Sequence, residues 1–433
     1  MPGPGTPQPA RRGGLRASQA VAMLALPLAR TVLRGTPFVP AAEPERRHGI
    51  AFEKAEMAAK GLEGVVVAQS RLSDINGEVG ELIYAGYDID DLARNSTFEE
   101  VCYLLWNGEL PSQQQLEEFR AEMEPHYVLR PEVLEMIRAY PRDADPMAAV
   151  RTAVSALGMF DADADDISPE SVRRKAMFLT AQTPTIVAAF DRVRNGKEPL
   201  APKPGLSFAG NFLYMLNGEE ANDTRCRTMD VALVLHAEHG MNASTFAARV
   251  TAGTLSDVYS AITSAIGTLK GPSHGGANVE VMNMLREIDE SGEDPQAWVQ
   301  NALSSGKKIM GFGHRVYKAT DPRATVLREL ADKIMAEAGE TRWLDLSDRI
   351  RAVMADEMER KGKKIYPNVD FFSASVYTTL GIGMDLFTAV FAIARMPGWT
   401  AHLMEQYVDN RLIRPGIDYI GPRDLKVRPI SER

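Results

Sequence analysis

From Ser96 to about residue 395 the apolar residues recur with the helical period, one segment after another, and no alternating strand pattern interrupts the series. A doubly wound sheet needs strands that alternate with helices, so this chain is expected to be all-α. One exception precedes the series. Two short runs rich in β-branched and aromatic residues, Val65–Val67 onward and Glu81–Tyr84, flank Asn76-Gly77, a strong local hairpin signal. A small N-terminal β-hairpin is therefore expected ahead of the helices.

Helix boundaries follow from caps and breakers. Ser96-Thr-Phe-Glu99 has capping-box spacing, Val101–Trp106 supplies an apolar face, and Asn107-Gly108 closes the segment. Further helices are expected near 112–122, 131–139, 146–158, 169–194 with a kink at Pro184, 206–217, 225–236, 241–251 and 256–269. Beyond them come 278–290, 295–305, 321–337, 342–361, 371–379 and 384–395, with an extended, Pro-rich end from about 412. No repeat of fixed period is evident.

Composition narrows the class. In 433 residues, 49 basic against 58 acidic side chains leave a formal charge of −9, which argues against nucleic acid held by general electrostatics. Cys102 and Cys226 lie in apolar helical patterns without metal-site spacing, so a reducing compartment fits, and a cytoplasmic enzyme is expected. Residues 1–48 differ from the rest: Arg11, Arg12, Arg16, Arg30 and Arg34 occur with no acidic residue before Glu43. A signal peptide on Ala20–Ala29 and a transit peptide both compete here with a disordered extension over 1–56 ahead of Met57, the reading adopted. The apolar run is short and broken by Pro27, so it does not span a membrane.

Four stretches could carry chemistry. Gly271-Pro-Ser-His274-Gly-Gly-Ala-Asn278 places His274 at or just before a helix N-terminus, where the helix dipole disfavours an imidazolium. A neutral ring in a tight turn suits an oxyanion or enolate; a capping turn that happens to hold a histidine fits as well. Met310-Gly311-Phe312-Gly313-His314 lacks the third glycine and the strand of a dinucleotide fingerprint, but its backbone groups could bond an adenine edge, and Arg323 follows at a helix start. In Asn368-Val-Asp370-Phe-Phe the aspartate could cap a helix or act as a desolvated base. His236-Ala-Glu-His239 has the wrong spacing for a zinc hydrolase, so no metal is expected; His239 would sit at a helix break. Together, three histidines, an aspartate and arginines at glycine-rich helix ends form a kit for carbon-acid chemistry on a polycarboxylate.

These motifs, together with Tyr103-Leu-Leu-Trp-Asn-Gly-Glu-Leu-Pro111 and Leu235-His-Ala-Glu-His239-Gly-Met-Asn-Ala-Ser244, resemble those of the citrate synthases in their shorter bacterial and archaeal type. The resemblance runs from about Leu62 to Pro422 and departs from the family at Asp143-Ala-Asp-Pro-Met147, outside the active motifs. It implies that Asp370 takes a methyl proton from acetyl-CoA while His274 bonds the thioester oxygen, and that His314 polarises and protonates the oxaloacetate carbonyl. By the same resemblance His239, Arg323, Arg395 and a partner subunit's Arg414 bind oxaloacetate in a homodimer. The adenine of CoA would lie on Met310, Gly311, Phe312 and Gly313, with Asn368 beside it and Lys307, Lys308, Lys363 or Lys364 near the phosphates. No permanently bound cofactor is implied, only acetyl-CoA as co-substrate. The fold implied has a large helical domain over 57–273 and 381–433 and a small one over 274–380. The neighbouring activity, 2-methylcitrate synthase using propionyl-CoA, stays open, because one methylene is worth only about 1–3 kcal/mol in a pocket.

Overall fold

In a computed structural model that describes residues 59–339 and 341–433, a small sheet opens the fold and sixteen α-helices follow it. The extension expected over 1–56, and Met57 with it, lie outside the described residues. Strands β1 (Ser73–Asn76), β2 (Glu81–Tyr84) and β3 (Tyr87–Asp88) pair antiparallel in that order, with Ser73 opposite Tyr84 and Asn76 opposite Glu81. The hairpin is thus present, with Gly77–Gly80 as its loop and a third strand that the sequence reading missed. Val65–Val67 does not belong to it: among the described residues no strand pairs with the run, and Val66 is 88% exposed. β-Branched side chains favour strands only where a partner and a packed face exist.

The helices are α1 (Ile89–Asn95), α2 (Phe98–Asn107), α3 (Gln113–Met123), α4 (Pro131–Arg138), α5 (Pro146–Leu157), α6 (Pro169–Arg194), α7 (Phe208–Asn217) and α8 (Asp223–His236). They continue as α9 (Ala243–Ala252), α10 (Val258–Leu269), α11 (Ala277–Ser291), α12 (Pro295–Ser304), α13 (Pro322–Ala338), α14 (Arg342–Arg360), α15 (Val369–Thr379) and α16 (Phe387–Val408). The fold is all-α, as expected. The capping box of α2 sits one residue later than read, with Thr97 Oγ1 facing the Glu100 N–H and the Glu100 carboxylate accepting from the Thr97 N–H.

The larger correction is α16. The sequence ends this helix near residue 395, before Pro397-Gly398, yet it runs on to Val408. Tertiary burial outweighs the lost donor: Met396, Trp399, Leu403 and the other inward side chains are buried, and α16 packs on α6, α8, α9 and α10 as the axis of the core. Gly398 permits this, since a Cβ there would strike the Ala237 carbonyl oxygen and lie 2.6 Å from Glu238 Oε2. The crossing brings the middle of α16, at Gly398, against the link after α8, which carries His239.

Candidate active site

His274 lies in the turn 271–276, just before α11, as its Gly-Pro-Ser context predicts; its N–H bonds the Gly271 carbonyl at 2.9 Å. The Ser244 backbone N–H donates to Nε2 of His274 at 3.3 Å, so Nε2 accepts and the ring proton sits on Nδ1. The Ser244 hydroxyl lies 2.8 Å from the same nitrogen and accepts from Trp399 Nε1–H at 3.1 Å. Burial, aided by the charge of Arg395, lowers the imidazolium pKa to about 4. The ring is neutral, as expected, with burial and the Arg395 charge as the causes.

His314 is held in the opposite tautomer. Its Nδ1 accepts from the N–H groups of Val316 (3.0 Å) and Tyr317 (3.1 Å), which leaves the proton on Nε2. Burial and the nearby Arg323 charge lower its pKa to about 4, against the opposing pull of Asp321. His239 stands in the link after α8, its ring centroid 5.4 Å from that of His314, with Nε2 3.2 Å from the Tyr317 hydroxyl. Burial, Arg323, Arg395 and His314 keep it well below the ordinary histidine value.

Asp370 is in the first turn of α15, and Asn368, not Asp370, caps that helix: Asn368 Oδ1 accepts from the Asp370 N–H at 3.1 Å. The capping alternative is thereby removed, and the Asp370 carboxylate makes no side-chain hydrogen bond among the described residues. Desolvation raises its pKa to about 6, opposed by Arg323 and reinforced by Asp321.

The two buried arginines differ. Arg323 is paired in bidentate fashion with Asp321, through Nε at 2.9 Å and one terminal nitrogen at 2.8 Å. Burial alone would raise the Asp321 carboxyl, but Arg323 outweighs it and holds the group below the usual range. Arg395, only 1% exposed, donates through Nε to the His236 carbonyl at 2.6 Å and lies over the Phe391 ring at 4.9 Å. No carboxylate among the described residues comes within ion-pair distance of it. A buried guanidinium left this way is costly, and an incoming carboxylate relieves the cost.

Several side chains complete the arrangement without having been singled out in the sequence. Tyr317 sits among His239, His314 and Arg323, and Phe391 lies between His274 and Arg395. Ser244 ends one of the quoted motifs and Tyr317 follows His314 by three residues, whereas Phe391, on a long apolar helix, carries no local signal. Arg414 is exposed in the extended segment after α16 and makes no ion pair among the described residues.

Gly311 and Gly313 belong to a two-stranded contact with the residues before α15: the Asn368 N–H donates to the Gly311 carbonyl at 2.9 Å, and Asn368 Nδ2 to the Gly313 carbonyl at 3.0 Å. On one side of this contact opens a cavity of about 800 Å³, lined by Phe312, Lys363, Lys364, Tyr366 and Phe372 among others. A smaller one of about 200 Å³ reaches His314, Lys318 and the shared wall from Lys364 to Pro367. Met310 is half-buried at the loop's start. Lys307 turns elsewhere, to Glu287 at 2.8 Å and the Trp298 ring at 4.7 Å. Among the described residues no group of three or more His, Cys, Asp or Glu side chains is placed to hold a metal ion, and no helix is long and apolar enough to cross a membrane.

Comparison with known proteins agrees with this chemistry. The family described as citrate synthase, C-terminal domain, matches residues 61–416. A citrate synthase of Haloferax volcanii is 50% identical over 378 residues, 86% of this chain and 98% of its own. A 2-methylcitrate synthase 2 of Corynebacterium glutamicum is 42% identical over 379 residues, 86% of this chain and 97% of its own. Citrate synthase from Thermoplasma acidophilum, solved as a ternary complex with carboxymethyl coenzyme A and oxaloacetate, superposes with a TM-score of 0.79 at 35% identity, over 86% of this chain and 99% of that one. With motifs, fold and relatives in agreement over most of its length, the chain belongs to the citrate synthase family.

Proposed function

We propose that this acyltransferase condenses acetyl-CoA with oxaloacetate and hydrolyses the resulting citryl-CoA, releasing citrate and CoA for the tricarboxylic acid cycle. Asp370 removes a proton from the acetyl methyl group. His274 donates Nδ1–H to the thioester oxygen as the enol forms, and His314 donates Nε2–H to the keto oxygen of oxaloacetate, which becomes the alkoxide. Arg395, His239, the uncommitted terminal nitrogen of Arg323 and the partner subunit's Arg414 hold the substrate carboxylates. The observation that carries this reading is the pair of opposite, fixed tautomers on His274 and His314. A Claisen-type condensation needs one neutral donor at each of two oxygens, and a single such donor is typically worth about 3–4 kcal/mol.

The nucleotide end of CoA is assigned to the loop Met310–Gly313 with Asn368, and its phosphates to Lys363 and Lys364, which line the larger cavity. CoA serves as co-substrate, with no resident cofactor. Residues 57–273 and 381–433 form the large domain and 274–380 the small one, and closure of the cleft between them excludes water from the enol. A homodimer is supported by the exposed apolar residues of the extended C-terminal segment, among them Ile417 and Ile420, 95% and 94% exposed, three and six residues after Arg414. The two unpaired cysteines support a cytoplasmic setting.

The Corynebacterium relative keeps a second reading, 2-methylcitrate synthase using propionyl-CoA. Turnover of acetyl-CoA and propionyl-CoA at saturating oxaloacetate decides between them; a higher kcat/KM for propionyl-CoA overturns the citrate reading. Asp370→Ala is expected to abolish condensation while oxaloacetate still binds, and near-normal turnover by that variant removes the base assignment.

A further inference from the structure

The β1–β2 hairpin reaches from the segment of one active-site histidine to the loop of another. At its base the Ser73 hydroxyl donates to Glu238 Oε1 at 3.0 Å and accepts from the Gly240 N–H at 3.1 Å, on either side of His239. Tyr84, opposite Ser73 in the ladder, places its hydroxyl between the Glu238 carbonyl, to which it donates at 2.7 Å, and the Glu238 N–H, from which it accepts at 3.1 Å. At the other end the Gly77 carbonyl accepts from the Lys318 N–H at 2.8 Å.

The tip lies closest to backbone atoms of residues 316–320. A Cβ on Gly77 would overlap the Val316 carbonyl oxygen, and one on Gly80, where φ is +75°, would come within 2.5 Å of the Thr320 carbonyl oxygen. Two glycines therefore allow the turn to seat on residues 316–320. The N–H groups of Val316 and Tyr317 in this stretch are the ones that fix Nδ1 of His314.

We infer that the β1–β2 turn is a positioning element for carbonyl polarisation: Gly77 and Gly80 seat the 316–320 backbone so that its N–H groups hold His314 in the tautomer that donates from Nε2. Ser73 and Tyr84 anchor the same hairpin to the segment of His239, so one small sheet sets the spacing of both rings. The inference rests on the reading of His314 as the donor to the keto oxygen and deepens it.

The test is Gly77→Ala in the full chain, with Val79→Ala as control, because Val79 is in the same turn but 67% exposed. The φ of Gly77 lies outside the left-handed region, so the substitution acts by pushing the loop away rather than by backbone strain. The keto carbonyl stretch of bound, ¹³C-labelled oxaloacetate is expected to move back toward its free frequency in Gly77→Ala, with kcat down about tenfold or more and no change in Val79→Ala. A folded Gly77→Ala with the wild-type stretch and kcat overturns the inference. His314→Gln separates the two claims: if that variant also leaves the stretch unchanged, the reading of His314 has failed, whereas a shift there without one in Gly77→Ala condemns the hairpin alone. Should Gly77→Ala not fold, hydrogen exchange at the Lys318 amide of the wild type decides: protection is expected, and exchange at the rate of an exposed loop overturns the inference.

Discussion

The Ser244 N–H points at Nε2 of His274 from 3.3 Å, and an amide in the first turn of α9 cannot reverse its direction. The ring must accept there, which leaves the proton on Nδ1 as the proposed donor to the thioester oxygen. The Ser244 hydroxyl lies 2.8 Å from Nε2 but donates to Asn242 Oδ1 at 2.8 Å, so it does not decide the tautomer. Ser244→Ala is therefore expected to lower kcat about tenfold, equivalent to about 1.4 kcal/mol, with little change in the KM for acetyl-CoA. Steady-state kinetics check this, and a loss beyond about a thousandfold would assign the tautomer to the hydroxyl instead.

Asp370 should dominate the acid side of the pH profile. Its carboxyl is raised to about 6, while burial lowers His274 and His314 to about 4, so of these three only Asp370 changes charge around pH 6. Activity is expected to rise with unit slope through pH 6 and level off above it. The same shift has a stability consequence. In the native state the group holds its proton to higher pH than in the unfolded chain, so folding loses stability as pH rises from about 4 to 6, and the loss persists above 6. Asp370→Asn should thus melt higher than wild type at pH 8, with the difference shrinking toward pH 4; an equal or lower Tm at pH 8 contradicts the desolvation argument.

Most of the helical scaffold was legible because each helix carries its own period and cap, as in the Ser112, Asp145 and Asn222 caps that start α3, α5 and α8. The misreadings occur where distant contacts decide. Val65–Val67 reads as strand but has no partner among the described residues, and α16 passes through Pro397 because its flanks are buried by helices far away in the chain. The same division runs through the site. His274, His314 and Asp370 sit in glycine- or proline-marked turns that a sequence displays, whereas the roles of Phe391, Trp399 and Tyr84 exist only once α16, α9 and the hairpin meet.

Arg395 offers a test of ligand class. Its guanidinium is buried without a carboxylate in ion-pair range, and burial lowers its pKa despite the neighbouring Glu238. Arg395→Met is expected to leave the ligand-free protein as stable as wild type or more so, since an uncompensated charge is removed. Oxaloacetate should raise the wild-type Tm by mass action and fail to do so in the variant at the same concentration. A variant that is destabilised without ligand yet keeps the oxaloacetate-induced shift would give Arg395 a structural role only.

Gly398 sets how closely α16 approaches the His239 segment. A methyl group there meets the Ala237 carbonyl oxygen and comes within 2.6 Å of Glu238 Oε2, and neither neighbour is free to move, because Glu238 is fully buried. Overpacking of this kind typically costs about 1–3 kcal/mol and occasionally more. Gly398→Ala should lower the denaturant midpoint accordingly and also raise the KM for oxaloacetate, since His239 and Arg395 lie on the two segments forced apart.

Arg414 distinguishes a shared site from a self-contained one. It is exposed, whereas Arg323 and Arg395 are buried, and unlike Arg323 it forms no ion pair among the described residues of its own chain. If each site draws Arg414 from the other subunit, homodimers of Asp370→Asn and of Arg414→Ala are both inactive or nearly so. A mixed dimer, however, has one site with the wild-type aspartate facing the wild-type arginine, and one site with both lost. Random reassembly of the two variants in equal amounts makes about half of the dimers mixed, so recovered activity should approach about a quarter of wild type. When Arg414 serves its own chain, every site in the mixture lacks one of the two groups, and mixing recovers nothing beyond the sum of the parents. Co-refolding followed by an assay of CoA release reads the outcome directly.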